Sequence, residues 1–409
     1  MLRVLSAPVQ GHSGRRIAVI VCAVLAAAIL LPVGARAVAT RYHDDSLWAN
    51  ALRSTGGLAV PYDFAVFLQA GEAIRRGDSP YVGAAVVGES EPAPYVYPPV
   101  LALLVVPLTL LPETIRGSSM PGILFTLFLV ACTIGALLAL DVRDWRCFPI
   151  ALLYPVTLEN FEYGAIGPAL ALLVALSWRY REQAAVTGAA AGAAVVLKVF
   201  LWPLVVWLAV TRRWKAAATA ALGAVGLALA SWAIIGFRGL DEYPSLLRRL
   251  SDVEAENSYS AFALLRSAEV PELVTRGLVA VACACLLLLA WRAARVGADD
   301  AERDRRSLTF VLAAAFVLTP ILWLHYLVLL VVPIALARPR LSALWFAPLA
   351  LTVFEALNWY RGWPRGDGGA LVSVALVVSF VFVASLWRSG RGPKRRVAFP
   401  LVRRLAAWR

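Results

Sequence analysis

The run Ala184-Ala185-Val186-Thr187-Gly188, continuing to Val195-Val196-Leu197-Lys198-Val199-Phe200-Leu201-Trp202-Pro203 and on to Val210, is apolar apart from one lysine and a delayed proline. Arg179-Tyr180-Arg181 precedes it, and Arg212-Arg213-Trp214-Lys215 follows it. Lys and Arg collect in the cytoplasmic loops of membrane proteins, so both ends of this run belong on one side. That demands two short passes turning near Lys198. The stretch therefore reads as part of an all-α polytopic membrane protein.

Composition agrees. The chain has 409 residues, 60% hydrophobic and 16% charged, with a mean hydropathy of +0.73; a soluble domain carries about a quarter charged residues. Apolar runs of roughly 18 residues or more, the length that spans a bilayer, recur throughout. The net charge of +13 sits in short clusters between these runs: Arg15-Arg16, the two clusters above, Arg292 to Arg306, and Arg388 to Arg404. These are membrane anchors rather than the contiguous basic face that nucleic acid needs, and no nucleic-acid partner is expected. Cys22, Cys132, Cys147, Cys283 and Cys285 show no CxxC spacing, which supports neither a metal site nor a disulfide framework. There is no GxxxxGK[ST], zinc pattern or DxD.

The chain order suggests a cytoplasmic tail (1–16), one transmembrane domain (17–387) and a basic cytoplasmic tail (388–409). The first span, Ile17 to about Val38, reads as retained because it lacks a clear cleavage site. An acidic loop over 40–97 lies outside, and within it Phe64, Phe67, Leu68, Ala70 and Ile74 recur at helical spacing. That pattern predicts an amphipathic surface helix from Tyr62 to Arg75, stopped by Gly77-Asp78-Ser79-Pro80. Further spans are expected from Tyr95-Val96-Tyr97-Pro98-Pro99 to Leu111, over Pro121–Leu140, and as one broken crossing over Phe148–Trp178. After the two passes at Lys198 comes Ala216–Ile235, then a second outer loop over 236–271. The remainder is Glu272–Trp291, Leu308–Pro320, Ile321–Leu336, Leu341–Trp359 and Gly369–Trp387. The total is about twelve crossings, within roughly 10 to 13. Arg143 and Arg146 then fall outside, against the charge rule, with Asp141 and Asp144 as possible partners.

Ionisable residues at membrane depth are costly and mark function by default. Asp63, in Pro61-Tyr62-Asp63-Phe64, is a base candidate or simply the cap of the surface helix. Lys198 either snorkels, pairs with an acid, or meets an anionic ligand. His325, in Thr319-Pro320-Ile321-Leu322-Trp323-Leu324-His325-Tyr326, is a ligand group or a packed histidine. Asn257-Ser258-Tyr259-Ser260 with Arg266 is a substrate loop, an interfacial packing segment, or a lipid-headgroup contact. One acid with several cations on one side suits transfer from an anionic activated donor, the acid taking the acceptor proton and the cations steadying the departing phosphate. A lipid or sugar-lipid transporter is the rival, but the internal repeats common among transporters are not apparent.

The order of these motifs resembles glycosyltransferase family 87. An acid after span one, then Gly77-Asp78-Ser79-Pro80-Tyr81, then Tyr95-Val96-Tyr97-Pro98-Pro99, is similar to that family's acid, "G-x-S-P-Y" and "F/Y-x-Y-P-P" pattern. Lys198 before Arg212-Arg213-Trp214, Asn257-Ser258 with Arg266, and Thr319-Pro320…His325 resemble its "K-P…R-R-W", "N-x-S…R" and "S-P-I-S-W-x-H-H" segments. The chain departs where the family has "G-Q-x-N", reading Gly164-Ala165-Ile166-Gly167, and Tyr326 replaces the second histidine. The resemblance implies a GT-C type bundle using a polyprenyl-phosphate sugar, mannose above all and arabinofuranose as the alternative. It implies an acceptor that is a lipid or cell-envelope glycan at the outer face of a bacterial plasma membrane. It also implies Asp63 as general base, with Lys198, Arg266 and His325 at the donor phosphate. Tyr62, Tyr81, Tyr97, Asn257, Ser258 and Trp323 become substrate contacts, and no cofactor beyond the lipid-linked donor, itself a substrate, is expected.

Overall fold

The computed structural model describes residues 61–81, 95–116, 120–253, 258–297, 299–351 and 368–386. Within them the chain is helical and forms no strand, as an all-α membrane protein should. The first expected span, most of the 40–97 loop, Asn257 and both tails lie outside the described residues.

The predicted surface helix is α1 (Tyr62–Arg76), which buries Phe64, Val66, Phe67 and Ala70. It stops at Gly77 (φ +84°), whose N–H donates to the Ile74 carbonyl at 2.9 Å while Asp78 N–H reaches Ala73 at 2.8 Å; a left-handed glycine closes a helix in this way. The second helix, α2 (Pro99–Thr109), packs on α1 where Gly71 leaves room for Val105. A short turn, α3 (Glu113–Arg116), leads to α4 (Met120–Ala139). Then follow α5 (Cys147–Leu152), α6 (Pro155–Tyr163), α7 (Gly167–Arg179) and α8 (Ala184–Leu197). A 3-10 turn at Val199–Leu201 joins α8 to α9 (Pro203–Val210), and α10 (Trp214–Ile234), α11 (Tyr243–Val253), α12 (Ala261–Ser267), α13 (Glu272–Ala293) and α14 (Asp300–Leu318) continue the chain. A 3-10 segment, Leu324–Leu330, runs into α15 (Val331–Ala337); another, Ala343–Leu349, precedes α16 (Gly368–Leu386).

Among the described residues α4, α10 and α13 are each long and apolar enough to cross a membrane alone, and α6 with α7 forms a pair bent by 119°. Most of the expected crossings are thus built from shorter apolar pieces broken at polar or proline residues, and the count of about twelve is not reproduced by single helices.

One end of the bundle is a buried ion network. Asp304 on α14 accepts from Arg181 Nε at 3.1 Å and Arg213 Nη1 at 2.9 Å, and Arg213 also binds Glu182 at 2.6 Å. One residue on, Arg305 pairs with Glu302 at 2.9 Å and donates to the Ser385 carbonyl. The basic ends of α7, α8, α9, α14 and α16 therefore meet. Between them α8 rises and α9 returns, with Lys198 extended (φ −145°, ψ 100°) at the apex, as the charge pattern required. At about 1.5 Å per residue, Lys198 stands ~21 Å from the ion network.

One expected crossing needs correction, and the break in another is sharp. With 11 residues, α2 spans only ~16 Å at 1.5 Å per residue, about half the apolar thickness of a bilayer. Its end, Leu108 and Thr109, and Pro121 of α4 share a groove with Leu68 and Glu72 of α1. The stretch Phe148–Trp178 is broken sharply, as expected of it: α6 and α7 within it are bent by 119°, the geometry of a broken span or of a re-entrant loop. With α2 no crossing, Arg143 and Arg146 move to the basic end. Arg143 N–H donates to Pro339 at 2.8 Å, and the neighbouring Arg338 is near enough for its charge to act on Arg305. The pairs Arg143–Asp141 (2.7 Å) and Arg146–Asp144 (2.8 Å) form as expected.

The α8–α10 contact rests on small residues. A Cβ on Gly192 would lie 2.8 Å from the Ala220 carbonyl oxygen, and one on Gly188 would lie 2.8 Å from that of Ala216. Such close approach of backbones is how membrane helices pack without a hydrophobic drive. Gly192→Ala is expected to cost about 1–3 kcal/mol through overpacking, read as a lower unfolding temperature in detergent. Gly226→Ala, which has nothing within 4 Å, should not lower it.

Candidate active site

Asp63 does not cap its helix. The N-cap is Pro61, with no side-chain cap bond, and Asp63 is the second helical residue. Its helix is anchored around it: Phe64 stacks on Phe125 at 4.2 Å, and Phe67 meets Tyr97 edge-on at 5.2 Å. From another side, the α6–α7 turn presses on the same first helical turn. Gly164 adopts φ +68°, and a Cβ there would stand 2.7 Å from Pro61 Cβ and 2.8 Å from Phe64 Cβ. Only glycine suits that backbone and that gap.

The surroundings decide the chemistry of this carboxyl. Asp63 keeps some open surface, yet enough protein surrounds it that burial raises its pKa from 3.8 to about 6, against the lowering pull of Lys198. Desolvation disfavours the charged carboxylate, while a nearby cation favours it. A carboxyl near 6 is mostly ionised at neutral pH and still basic enough to accept a proton. Among the described residues the carboxylate has no hydrogen bond and no ion pair within 4.0 Å, so its interaction with Lys198 acts across a gap.

Lys198 reaches into this region from the α8 apex. Its Nζ lies 4.4 Å from the Tyr97 ring centre and 4.1 Å from that of Tyr326, and it donates to the Tyr326 hydroxyl. Two aromatic faces hold a cation well once it is desolvated. The Tyr326 ring is itself fixed by stacking on Phe200 at 5.5 Å. His325, one residue earlier, is buried with its ring 6.0 Å from Tyr163 and 4.8 Å from Tyr326. Tyr97, Gly167, Lys198, Phe200, His325 and Tyr326 line one crevice too tight to admit even a water molecule. The crevice is so narrow that a hexose enters only if its walls part.

The other expected residues divide. Tyr97 belongs to the crevice wall. Tyr81 sits behind it: its hydroxyl donates to the Tyr97 carbonyl at 2.8 Å and its ring stacks on Trp232 at 5.2 Å. Ser258 is buried, and its Oγ accepts from Leu322 N–H at 3.0 Å, tying the segment ahead of α12 to the one that carries His325. Tyr62 is half-buried at the start of α1, and Trp323 is half-buried just before the 3-10 segment. Arg266 is exposed at the end of α12 and does not line the crevice. Asn257 lies outside the described residues.

Two residues at the site were not singled out from the sequence as functional. Tyr326 figured only as a departure from a histidine pair, and Asn160 was passed over. Each acts on a partner far along the chain, 128 positions for Tyr326 with Lys198 and 165 for Asn160 with His325. No local spacing signals such pairs.

No curated protein and no solved structure matches the chain. The model of Glycosyltransferase family 87 matches residues 95–322, more than half of the sequence. The match takes in Tyr97, Asn160 and Lys198, with Asp63 lying before it and His325 just after it. This membrane chain therefore belongs to glycosyltransferase family 87 and is a sugar transferase.

Proposed function

We propose that this transferase moves a sugar, mannose first among the candidates, from a polyprenyl phosphate to a hydroxyl of a lipid or cell-envelope glycan. The reading has it act at the outer face of a bacterial plasma membrane, without a metal and with inversion. The observation that carries it is the half-buried Asp63 carboxyl facing the charge of Lys198 across a gap. In the proposed step the acceptor oxygen attacks the anomeric carbon as that carbon's bond to the phosphate oxygen breaks. The bonding pair leaves with polyprenyl phosphate, and the acceptor proton passes to Asp63. A single displacement of this kind inverts the anomeric centre. Lys198 brings positive charge, and His325 a hydrogen-bonding imidazole, to the departing phosphate where negative charge develops.

The arrangement of charge supports this sidedness. The clusters around Arg143, Arg181, Arg213 and Arg305 gather at one end, while Asp63 and Lys198 belong to the other. Positive loops face the cytoplasm, which supports an outward site. The test is purified protein in detergent with synthetic polyprenyl-phosphate mannose and, in parallel, polyprenyl-phosphate arabinofuranose. Release of polyprenyl phosphate matched by sugar on an added glycolipid acceptor is expected with the mannose donor. Turnover of neither donor, or movement of sugar-lipid across liposomes without transfer, overturns the proposal.

A further inference from the structure

Asn160 is completely buried near the end of α6. Its Nδ2 donates to the Val156 carbonyl at 2.6 Å and to the His325 carbonyl at 2.7 Å. Its Oδ1 is buried without a hydrogen-bond partner and faces Gly167, where any added Cβ would collide with it. The same Cβ would come within 2.8 Å of Val328 Cγ1, three residues beyond His325. Leaving a buried polar atom unpaired is unfavourable, and an apolar residue of similar size would avoid it. What such a residue would lose is the bond across to His325. One turn along the helix, Tyr163 sets its ring against the imidazole. The backbone of His325 is thus held by Asn160 and its ring is flanked by Tyr163, both from α6.

We propose that Asn160 is a positioning residue for the transfer reaction. Through its amide bond to the His325 carbonyl it fixes where the imidazole stands on the crevice wall, and Gly167 leaves the space its carboxamide occupies. This rests on the reading of His325 as a donor-phosphate group.

The test measures affinity for polyprenyl phosphate, the proposed leaving group, by ligand-induced shifts in unfolding temperature of the purified full chain. Asn160→Ala is expected to weaken binding about tenfold, within the coupling range of residues in contact. In a His325→Ala background the same change should weaken it less than about threefold. An equal fold-loss in both backgrounds assigns Asn160 a general structural role and overturns the proposal alone. His325→Ala binding as tightly as the unaltered protein, or an unaltered protein that binds no polyprenyl phosphate, overturns the reading of His325 and the proposal with it. Should Asn160→Ala fail to fold, Gly167→Ala keeps the amide but drives a methyl into Oδ1, and it is expected to show the same dependence on His325.

Discussion

Asp63→Asn abolishes sugar transfer in a protein that remains folded. Removing a general base from a displacement at an acceptor hydroxyl lowers kcat by about 10²–10⁴-fold, and asparagine keeps the shape while losing the basicity. The unaltered enzyme supplies a second signature. Its carboxyl titrates near 6 rather than 3.8, and only the ionised form accepts a proton. The acid limb of kcat/KM therefore rises with pH and levels off above about 6. Stability runs in the opposite direction. A carboxyl whose folded-state pKa is raised favours the fold while protonated, and that contribution is lost as pH rises through about 6. Asp63→Asn mimics the protonated form, so it should unfold at the same temperature or higher at pH 8, with the difference shrinking at low pH. Lost activity with retained or gained stability is the mark of a functional group rather than a packing one. An Asp63→Asn enzyme with ordinary turnover, or a pH limb centred near 4, removes Asp63 as the base.

Much of this architecture could be read from local signals because it rests on local chemistry. The α1 helix, its glycine stop and the turn at Lys198 each follow from a periodic pattern, a left-handed residue or a pair of basic flanks within a few positions. The span expected at α2 failed for a physical reason. Hydropathy counts apolar residues but says nothing of where a helix stops or bends: α2 ends after 11 residues with one face on α1 and Leu104 exposed, and α6 and α7 meet at a 119° bend. The signal that could have corrected it was the misplaced pair Arg143 and Arg146, which the structure returns to the basic end. At the site, Asp63, Lys198 and His325 stood out because ionisable residues are rare in apolar surroundings. Arg266 stood out equally but remains exposed on α12, since a cation in an outer loop needs no partner. Asn160 and Tyr326 carry no net charge, and their importance depends on partners over a hundred residues away. Asn160 also bears on the departure at Gly164–Gly167. Its carboxamide fills the space beside Gly167 that a side chain at that position would take.

Lys198→Met should impair the enzyme nearly as strongly, and its pH profile separates two accounts of the lysine. Methionine preserves length and apolar bulk between Tyr97 and Tyr326 but removes the charge. If Lys198 only snorkels, the substitution improves burial and leaves turnover intact. If its charge serves the departing phosphate, kcat falls by about 10²–10³-fold, the usual cost of losing one stabilising group at a developing anion. The lysine also lowers the Asp63 pKa against the effect of burial. Without it the carboxyl rises further, and the acid limb of whatever activity remains shifts above 6. Lys198→Arg retains the charge and stacks well on aromatic faces, so its limb should stay near 6 even if its bulkier head slows turnover. A Lys198→Met enzyme that is slow but keeps its limb near 6 would mean that the charge of Lys198 does not reach Asp63. The acid and the cation would then be separate features rather than one catalytic pair.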